Sequence, residues 1–161
     1  MSKKSYFSDY HVHASFSDDS ECPMEDMLQK AIQIGLDEIC FTEHVDYGVK
    51  TDLNCNYNAY FDMIREMQEK YAGQIIIKTG IEFGVQLHTI QMFRRDFENH
   101  AFDFVILSNH QINNQEFWDY TYQEGRTQKE YQTNYYKAIY EVIKQYNSYS
   151  VLGHLDMIKR Y

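Results

Sequence analysis

The sequence is short of the features that mark secreted or membrane proteins. Its three cysteines are odd in number and form no Cys-x-x-Cys pair, so a disulfide framework is not expected. No apolar run approaches the roughly 20 residues of a membrane span, and no apolar signal segment follows the N-terminus. The single proline, Pro23, and the lack of low-complexity segments indicate no interdomain linker. These absences predict one cytoplasmic, soluble domain that has no membrane partner.

Positive charge is also scarce. The chain has 15 Lys and Arg against 24 Asp and Glu, for a formal net charge of −9. Binding along nucleic acid requires Lys and Arg to neutralise phosphates, so nucleic acid is not an expected partner. A small phosphate ester stays compatible, because bound metal ions would supply local positive charge. What the sequence does have is length for a core, with 161 residues, and 16% aromatic residues, which argue against disorder.

Strand and helix patterns alternate along the chain. The predicted strands are approximately Tyr6–His13, Asp37–Thr42, Gln74–Ile81, Asp103–Ser108 and Tyr149–Gly153. The first predicted helix begins with Pro23 at its N1 position. Two more helices are predicted at about Tyr57–Ala72 and Thr89–Asn99, and a fourth opens with a Thr127–Glu130 capping box. The segment Gln111–Gly125 is predicted as a loop. Repeated βα units predict a parallel sheet with helical crossovers. Five such units are too few to close an eightfold barrel, which needs about 250 residues.

Side chains that can bind metal ions recur where these apolar runs end. They are His11 and His13, then Glu43 and His44, then Glu82, His110 and His154. Residues two apart in a strand point to the same face, so the first two histidines can hold one metal ion together. Because the carboxyl ends of parallel strands meet at one edge, the whole set is expected to converge there.

Each of these signals alone has an ordinary alternative. His11-Val12-His13 could be two hydrogen-bonded histidines at a strand end, and a lone Glu82 could be solvated or cap a helix. The repeated position of the ligands favours a metal site instead. Imidazole and carboxylate groups suit Zn²⁺, Fe or Mn²⁺ better than Ca²⁺. His88 and His100 lie outside the pattern and are expected to be ordinary loop or helix residues.

Five short motifs resemble those of the polymerase and histidinol phosphatase (PHP) family. They are Asp9–His13, Phe41–His44, Gly80–Glu82, Ser108–His110 and Gly153–Asp156, in the family's order and spacing over essentially the whole chain. Within the family they are similar to the histidinol-phosphate phosphatases of bacterial histidine biosynthesis. The resemblance implies an α/β fold, namely an incomplete, distorted (β/α)7 TIM-type barrel with about five of its βα units present.

The resemblance also implies a site of up to three divalent metal ions, Zn, Mn or Fe. His11, His13 and Glu82 would bind the first, and Glu82, His110 and His154 the second. Asp19 and His44 would serve the third. The alternative for Asp19 is a polar loop before the helix. Carried over from the family, the reaction is hydrolysis of L-histidinol phosphate to L-histidinol and phosphate, with water activated by the metals attacking phosphorus.

Two residues near the end of the sequence are candidates for catalysis. The resemblance suggests that Arg160 grips the phosphate, as a guanidinium can do with two hydrogen bonds. Its alternative is a surface arginine beside Lys159. Asp156 is expected either to protonate the leaving group or to orient His154 by a hydrogen bond. Glu43 is a further candidate for such an orienting role.

A later motif of the family, an Asp and a His separated by one residue, has no counterpart in this sequence. We therefore expect residues 1–161 to form a single PHP domain comprising roughly the N-terminal two-thirds of a full one. Such a domain would hold one or two metals rather than three, would have reduced or absent phosphatase activity, and would self-associate through an open strand edge. Two alternatives to a histidinol-phosphate phosphatase stay open. One is another PHP phosphoesterase, and the other is a truncated, non-catalytic metal-binding domain.

Overall fold

The computed structural model describes residues 5–161. Its strands are β1 Ser8–Val12, β2 Glu38–Phe41, β3 His44–Val45, β4 Ile76–Gly84, β5 Phe104–Ser108, β6 Gln111–Ile112, β7 Gln115–Glu116 and β8 Val151–Leu152. Its α-helices are α1 Met24–Ile34, α2 Tyr57–Lys70, α3 Ile90–Asn99 and α4 Gln128–Ile143. Short 3-10 turns cover Thr51–Leu53, Leu87–Thr89 and Met157–Arg160. The prediction that no signal segment opens the chain rests partly on residues 1–4, which lie outside the described residues.

The main sheet is parallel, with strand order β1-β2-β4-β5-β8, and β3 pairs with the second half of β4. The register aligns Phe41 with Thr79, His44 with Glu82, and Glu82 with Ile106. All the main strands run in one direction, so their carboxyl ends lie along a single edge. The alternating strand and helix order confirms the predicted α/β fold with a parallel sheet.

The helix ends follow the local sequence. Gly35 ends α1 with a positive φ of 83°, and its N–H donates to the carbonyls of Ala31 and Ile32. The predicted N1 position of Pro23 is wrong by one residue, because Pro23 is the N-cap and the helix begins at Met24. The predicted capping box is confirmed, since the Thr127 side chain accepts from the Glu130 N–H and Glu130 accepts in return.

Two segments differ from the predicted pattern. β4 continues through Glu82 to Gly84, because β3 and β5 pair with its second half from either side. Inside the predicted Gln111–Gly125 loop, β6 and β7 form a short antiparallel pair joined by Asn113 and Asn114. Both asparagines have positive φ, of 52° and 60°, which this residue type tolerates better than most and which tight hairpin turns require.

The main core lies on one face of β2, β4 and β5, against the helices. The largest apolar cluster joins residues of these strands, such as Ile39, Ile81 and Leu107, to Leu28 of α1 and Phe93 of α3. A second cluster packs the loop before α4 against the end of the chain; it contains Phe117, Tyr122, Tyr135, Ile139 and Ile158. Among the described residues, no helix is long and apolar enough to cross a membrane. Self-association through the open edge at β8, the fifth predicted strand, stays a prediction.

Candidate metal centre

The predicted metal ligands converge on one cavity at the carboxyl ends of the strands. The cavity has a volume of about 410 Å³. Its walls contain all of the predicted ligands together with Arg160, that is His11, His13, Asp19, His44, Glu82, His110 and His154. The other two histidines lie elsewhere, since His88 contacts Asn114 and His100 contacts the carbonyl of Asp96. The separation of the seven histidines into five site residues and two ordinary ones agrees with the sequence pattern.

Glu82 is the centre of the arrangement. Its carboxylate is completely buried on β4, which lies in the middle of the sheet. Oε2 lies 2.8 Å from Nε2 of His11 and 3.4 Å from Nε2 of His13. Oε1 lies 3.0 Å from Nε2 of His110 and 2.8 Å from Nε2 of His154. Oε2 also lies 3.6 Å from Nε2 of His44. The two carboxylate oxygens therefore face separate groups of imidazoles, as a carboxylate shared by two cations would.

The electrostatics of this cluster favour bound cations. Burial by itself would raise the pKa of Glu82, but hydrogen bonds from His11, His110 and His154 hold that pKa well below its ordinary value. Burial and the neighbouring His44 lower the pKa of His13 to about 4, so this imidazole is neutral at pH 7 and can offer a lone pair. Nitrogen and carboxylate oxygen lone pairs that face one another at hydrogen-bond distance require protons or metal ions between them.

Four groups of side chains could each hold a metal ion, because their ligand atoms lie within 4.8 Å of one another. The groups are His11, His13 and Glu82; His13, Asp19 and His44; His44, Asp46 and His110; and Glu82, His110 and His154. The first and last coincide with the predicted first and second ligand sets. The second group contains the predicted pair Asp19 and His44, whose Oδ2 and Nε2 atoms are 3.5 Å apart.

Asp46 belongs to the site, although the sequence reasoning missed it. Its buried carboxylate places both oxygens 3.0 Å from Nδ1 of His110 and one oxygen 3.5 Å from Nδ1 of His44. Such a carboxylate fixes the orientation of the imidazole and leaves Nε2 free for the metal. A signal was available, because Asp46 follows His44 by two residues, the same spacing that relates His11 to His13.

Gly84 makes room for Asp46. A Cβ atom at this position would lie 1.7 Å from Oδ1 of Asp46 and 2.8 Å from Nδ1 of His110. No side chain fits there without displacing the Asp46 carboxylate. The glycine at the end of β4 is thus part of what positions His110.

Glu43 supports the site from behind, and among the described residues its carboxylate forms no hydrogen bond with a histidine ring. Its buried carboxylate accepts hydrogen bonds from the N–H of Ala14, at 3.0 Å, and from the Ser17 hydroxyl, at 2.6 Å. The Ser17 oxygen in turn accepts from the N–H of His44 at 2.9 Å. Burial raises the pKa of Glu43 to about 7 despite these bonds. Glu43 therefore ties the loop after β1, which carries Asp19, to the strand end that carries His44.

The two catalytic candidates are in different positions. Arg160 lies in the 3-10 turn Met157–Arg160 and lines the metal cavity. Asp156 lines a neighbouring depression with His154, Met157, Lys159 and Arg160. The expected hydrogen bond between Asp156 and His154 is not formed, since Nδ1 of His154 is buried without a partner. The roles of Asp156 and Arg160 in catalysis stay predictions.

Comparison with known proteins identifies relatives of the chain. The PHP domain family model matches residues 9–161. Histidinol-phosphatase from Lactococcus lactis is 37% identical over 155 residues, which cover 95% of this chain and 58% of the relative. This chain therefore spans less than two-thirds of the length of that relative.

Solved structures show the same likeness. The crystal structure of histidinol phosphate phosphatase from Lactococcus lactis, complexed with zinc, L-histidinol and phosphate, matches with a TM-score of 0.91 at 37% identity. The match covers 96% of this chain and 60% of that one. The structure of hisK from Listeria monocytogenes, at 20% identity, matches with a TM-score of 0.69 over 94% of this chain and 64% of its own, a likeness of fold alone. The parallel sheet is thus the curled half-barrel expected from the sequence, and the chain belongs to the PHP family.

Proposed function

We propose that the chain carries the metal centre of a phosphomonoester hydrolase that converts L-histidinol phosphate and water to L-histidinol and phosphate. The observation that carries the proposal is the position of Glu82, whose two oxygens face separate groups of histidines in one cavity. Two metal ions sharing a carboxylate are typical of phosphate ester hydrolysis. The Lactococcus lactis structure, which contains zinc, L-histidinol and phosphate, supports the same assignment.

The residues of the cavity have the donor chemistry for Zn²⁺, Mn²⁺ or Fe. We propose His11, His13 and Glu82 as one ligand set, Glu82, His110 and His154 as a second, and Asp19 with His44 as a third. The last set has the fewest ligands of its own. We therefore expect the protein to hold fewer than three metals tightly.

The divalent metals, when bound, would supply positive charge against phosphate oxygens and lower the pKa of water. The protein's own side chains perform the remaining steps. Glu82 holds the histidine pairs on either side of it, and Asp46 keeps Nε2 of His110 directed at Glu82. Arg160, on the wall of the cavity, grips the phosphate. Asp156, exposed beside the cavity, relays a proton released by the attacking water to the leaving alkoxide. We further propose that residues 1–161 form a single PHP domain.

Metal analysis and a substrate panel test the proposal. The purified chain, loaded with zinc or manganese, is assayed with L-histidinol phosphate, p-nitrophenyl phosphate and a 3′-phosphorylated oligonucleotide. We expect preferential release of phosphate from L-histidinol phosphate, loss of activity with a chelator, and loss of bound metal in His110→Ala but not in the matched control His88→Ala. Preference for another ester would identify a different PHP phosphoesterase. Tight metal binding without hydrolysis of any ester would identify a non-catalytic metal-binding domain.

A further inference from the structure

A nearly buried carboxylate outside the predicted ligand sets faces the metal cavity. Glu116 lies on β7, in the short antiparallel pair that follows β5, and it lines the cavity together with His44 and Glu82. Its side chain is only 10% exposed. Among residues 5–161 its carboxylate accepts no hydrogen bond, and its one ion pair is with Nζ of Lys50, at 3.7 Å. A charge in this environment is costly to bury unless it is paired and hydrogen-bonded.

Lys50 compensates this charge only in part. Its Nζ atom donates to Oδ2 of Asp18 at 2.7 Å, a much closer contact than the one with Glu116. Asp18, Lys50 and Glu116 all line the cavity, so two carboxylates share one ammonium there. This wall therefore keeps a net negative charge, and Glu116 has hydrogen-bonding capacity to spare for a second cation.

We propose that Glu116 binds the ammonium group of the substrate and thereby selects phosphomonoesters that carry an amine. The inference rests on the proposed function, because it assigns the leaving-group side of the same cavity. L-Histidinol phosphate combines a phosphate with a primary amine, which is protonated at neutral pH. The predicted metal ligands and Arg160 account for the phosphate. Glu116 offers the opposite charge that the amine requires, on another part of the cavity wall.

Kinetics with two esters test the selectivity. We expect Glu116→Gln to lower kcat/KM for L-histidinol phosphate about tenfold or more, mainly through KM, because a hydrogen bond to a charged group is lost. The effect on p-nitrophenyl phosphate, which has no amine, should be several-fold smaller. The matched control is Glu124→Gln, which removes the same charge from an exposed position in the following loop. It should leave the ratio of the two esters unchanged.

A second substitution, on the same wall of the cavity, should change KM in the opposite direction. Lys50→Met removes the ammonium that competes for Glu116, so KM for L-histidinol phosphate should fall. If Lys50→Met instead raises KM for both esters alike and Glu116→Gln alters neither, Lys50 is the residue that contacts the substrate and the inference is wrong.

A binding measurement separates this inference from the proposed function. Isothermal titration calorimetry of the zinc-loaded chain compares L-histidinol with its desamino analogue and needs no turnover. We expect the wild-type chain to bind L-histidinol about tenfold more tightly than the analogue, and Glu116→Gln to remove most of that difference. Absence of hydrolysis of both esters would contradict the proposed function alone. Equal affinity of the wild-type chain for the two alcohols would overturn the role of Glu116.

Discussion

His110 and His11 contact opposite oxygens of the same carboxylate, yet the protein holds them very differently. The His110 side chain is 9% exposed, and its ring is fixed at both nitrogens, by Glu82 at Nε2 and by Asp46 at Nδ1. The His11 side chain is 39% exposed and lies on β1, the outer strand of the sheet. On the Oε1 side of Glu82, packing and two hydrogen bonds therefore hold the His110 ring in place. On the Oε2 side, the more exposed His11 ring is held mainly by its contact with Glu82.

This difference affects how each side binds a metal. A ring that is already held in one orientation loses little rotamer freedom when a metal binds, whereas an exposed ring must be ordered at that moment. Asp46 and Gly84 supply that order for His110, because the carboxylate fits only where residue 84 lacks a Cβ atom. We expect the Oε1 side, with His110 and His154, to bind the first and tightest metal.

The strongest test removes the residue that both sides share. Glu82→Ala should abolish metal binding at both Glu82 ligand sets, with an affinity loss of more than about 100-fold, the upper range for lost orienting residues. The thermal stabilisation that zinc gives the wild-type chain should disappear as well, since it depends on binding to the folded state. Metal content by mass spectrometry and melting curves with and without zinc check this outcome. Retention of two tightly bound metals would show that Glu82 is not the bridge.

The next test separates the two sides. His110→Ala should weaken the tightest metal site about 100-fold, whereas His11→Ala should leave that site nearly intact and weaken a second one. The reason is that His110 shares Oε1 of Glu82 with His154, and His11 shares Oε2 with His13. Competition with a chromogenic chelator gives the two affinities separately. An equal loss from the tightest site in both variants would contradict the difference between the sides.

A milder substitution addresses the support of His110. Asp46→Asn keeps the size of the side chain but removes the charge, so the imidazole orientation and basicity change. We expect the tightest metal affinity to fall about 10- to 100-fold, less than in His110→Ala. The absorption spectrum of the cobalt-substituted protein should shift, because the geometry of the remaining ligands changes. An unaltered affinity and spectrum would mean that Asp46 has no influence on the bound metal.

Much of this centre could be predicted from the sequence because its ligands come directly at strand ends. In a parallel sheet, residues at successive carboxyl ends must meet at one edge, so a list of apolar runs already places His11, His44, His110 and His154 together. The hydrophobic periodicity does not predict the end of β4, because pairing with β3 and β5 extends that strand past Ile81.

Supporting residues were harder to predict than ligands. Glu43 directly precedes His44 and Asp46 follows it by two residues, but Glu43 faces the loop after β1 and Asp46 faces His110. Adjacent positions near a strand end point in opposite directions, and only the tertiary packing shows what each direction contains. Asp156 illustrates the same limit, since closeness in sequence to His154 does not produce a hydrogen bond between them.

The smallest predicted effect concerns the Oε2 side of Glu82 and the loop after β1, which carries Ser17. Ser17→Ala removes the hydroxyl that donates to Glu43 and accepts from the His44 N–H, and it leaves Glu43 buried with one bond fewer. We expect a loss of about 1–3 kcal/mol in the free energy of unfolding, or a few degrees in Tm. The matched control Ser148→Ala removes a hydroxyl that forms no hydrogen bond in the described residues, and it should change Tm by less. Metal binding by the Oε1 side should persist in both variants. Weaker binding of a further metal in Ser17→Ala alone would show that this loop, through Asp19, completes the centre.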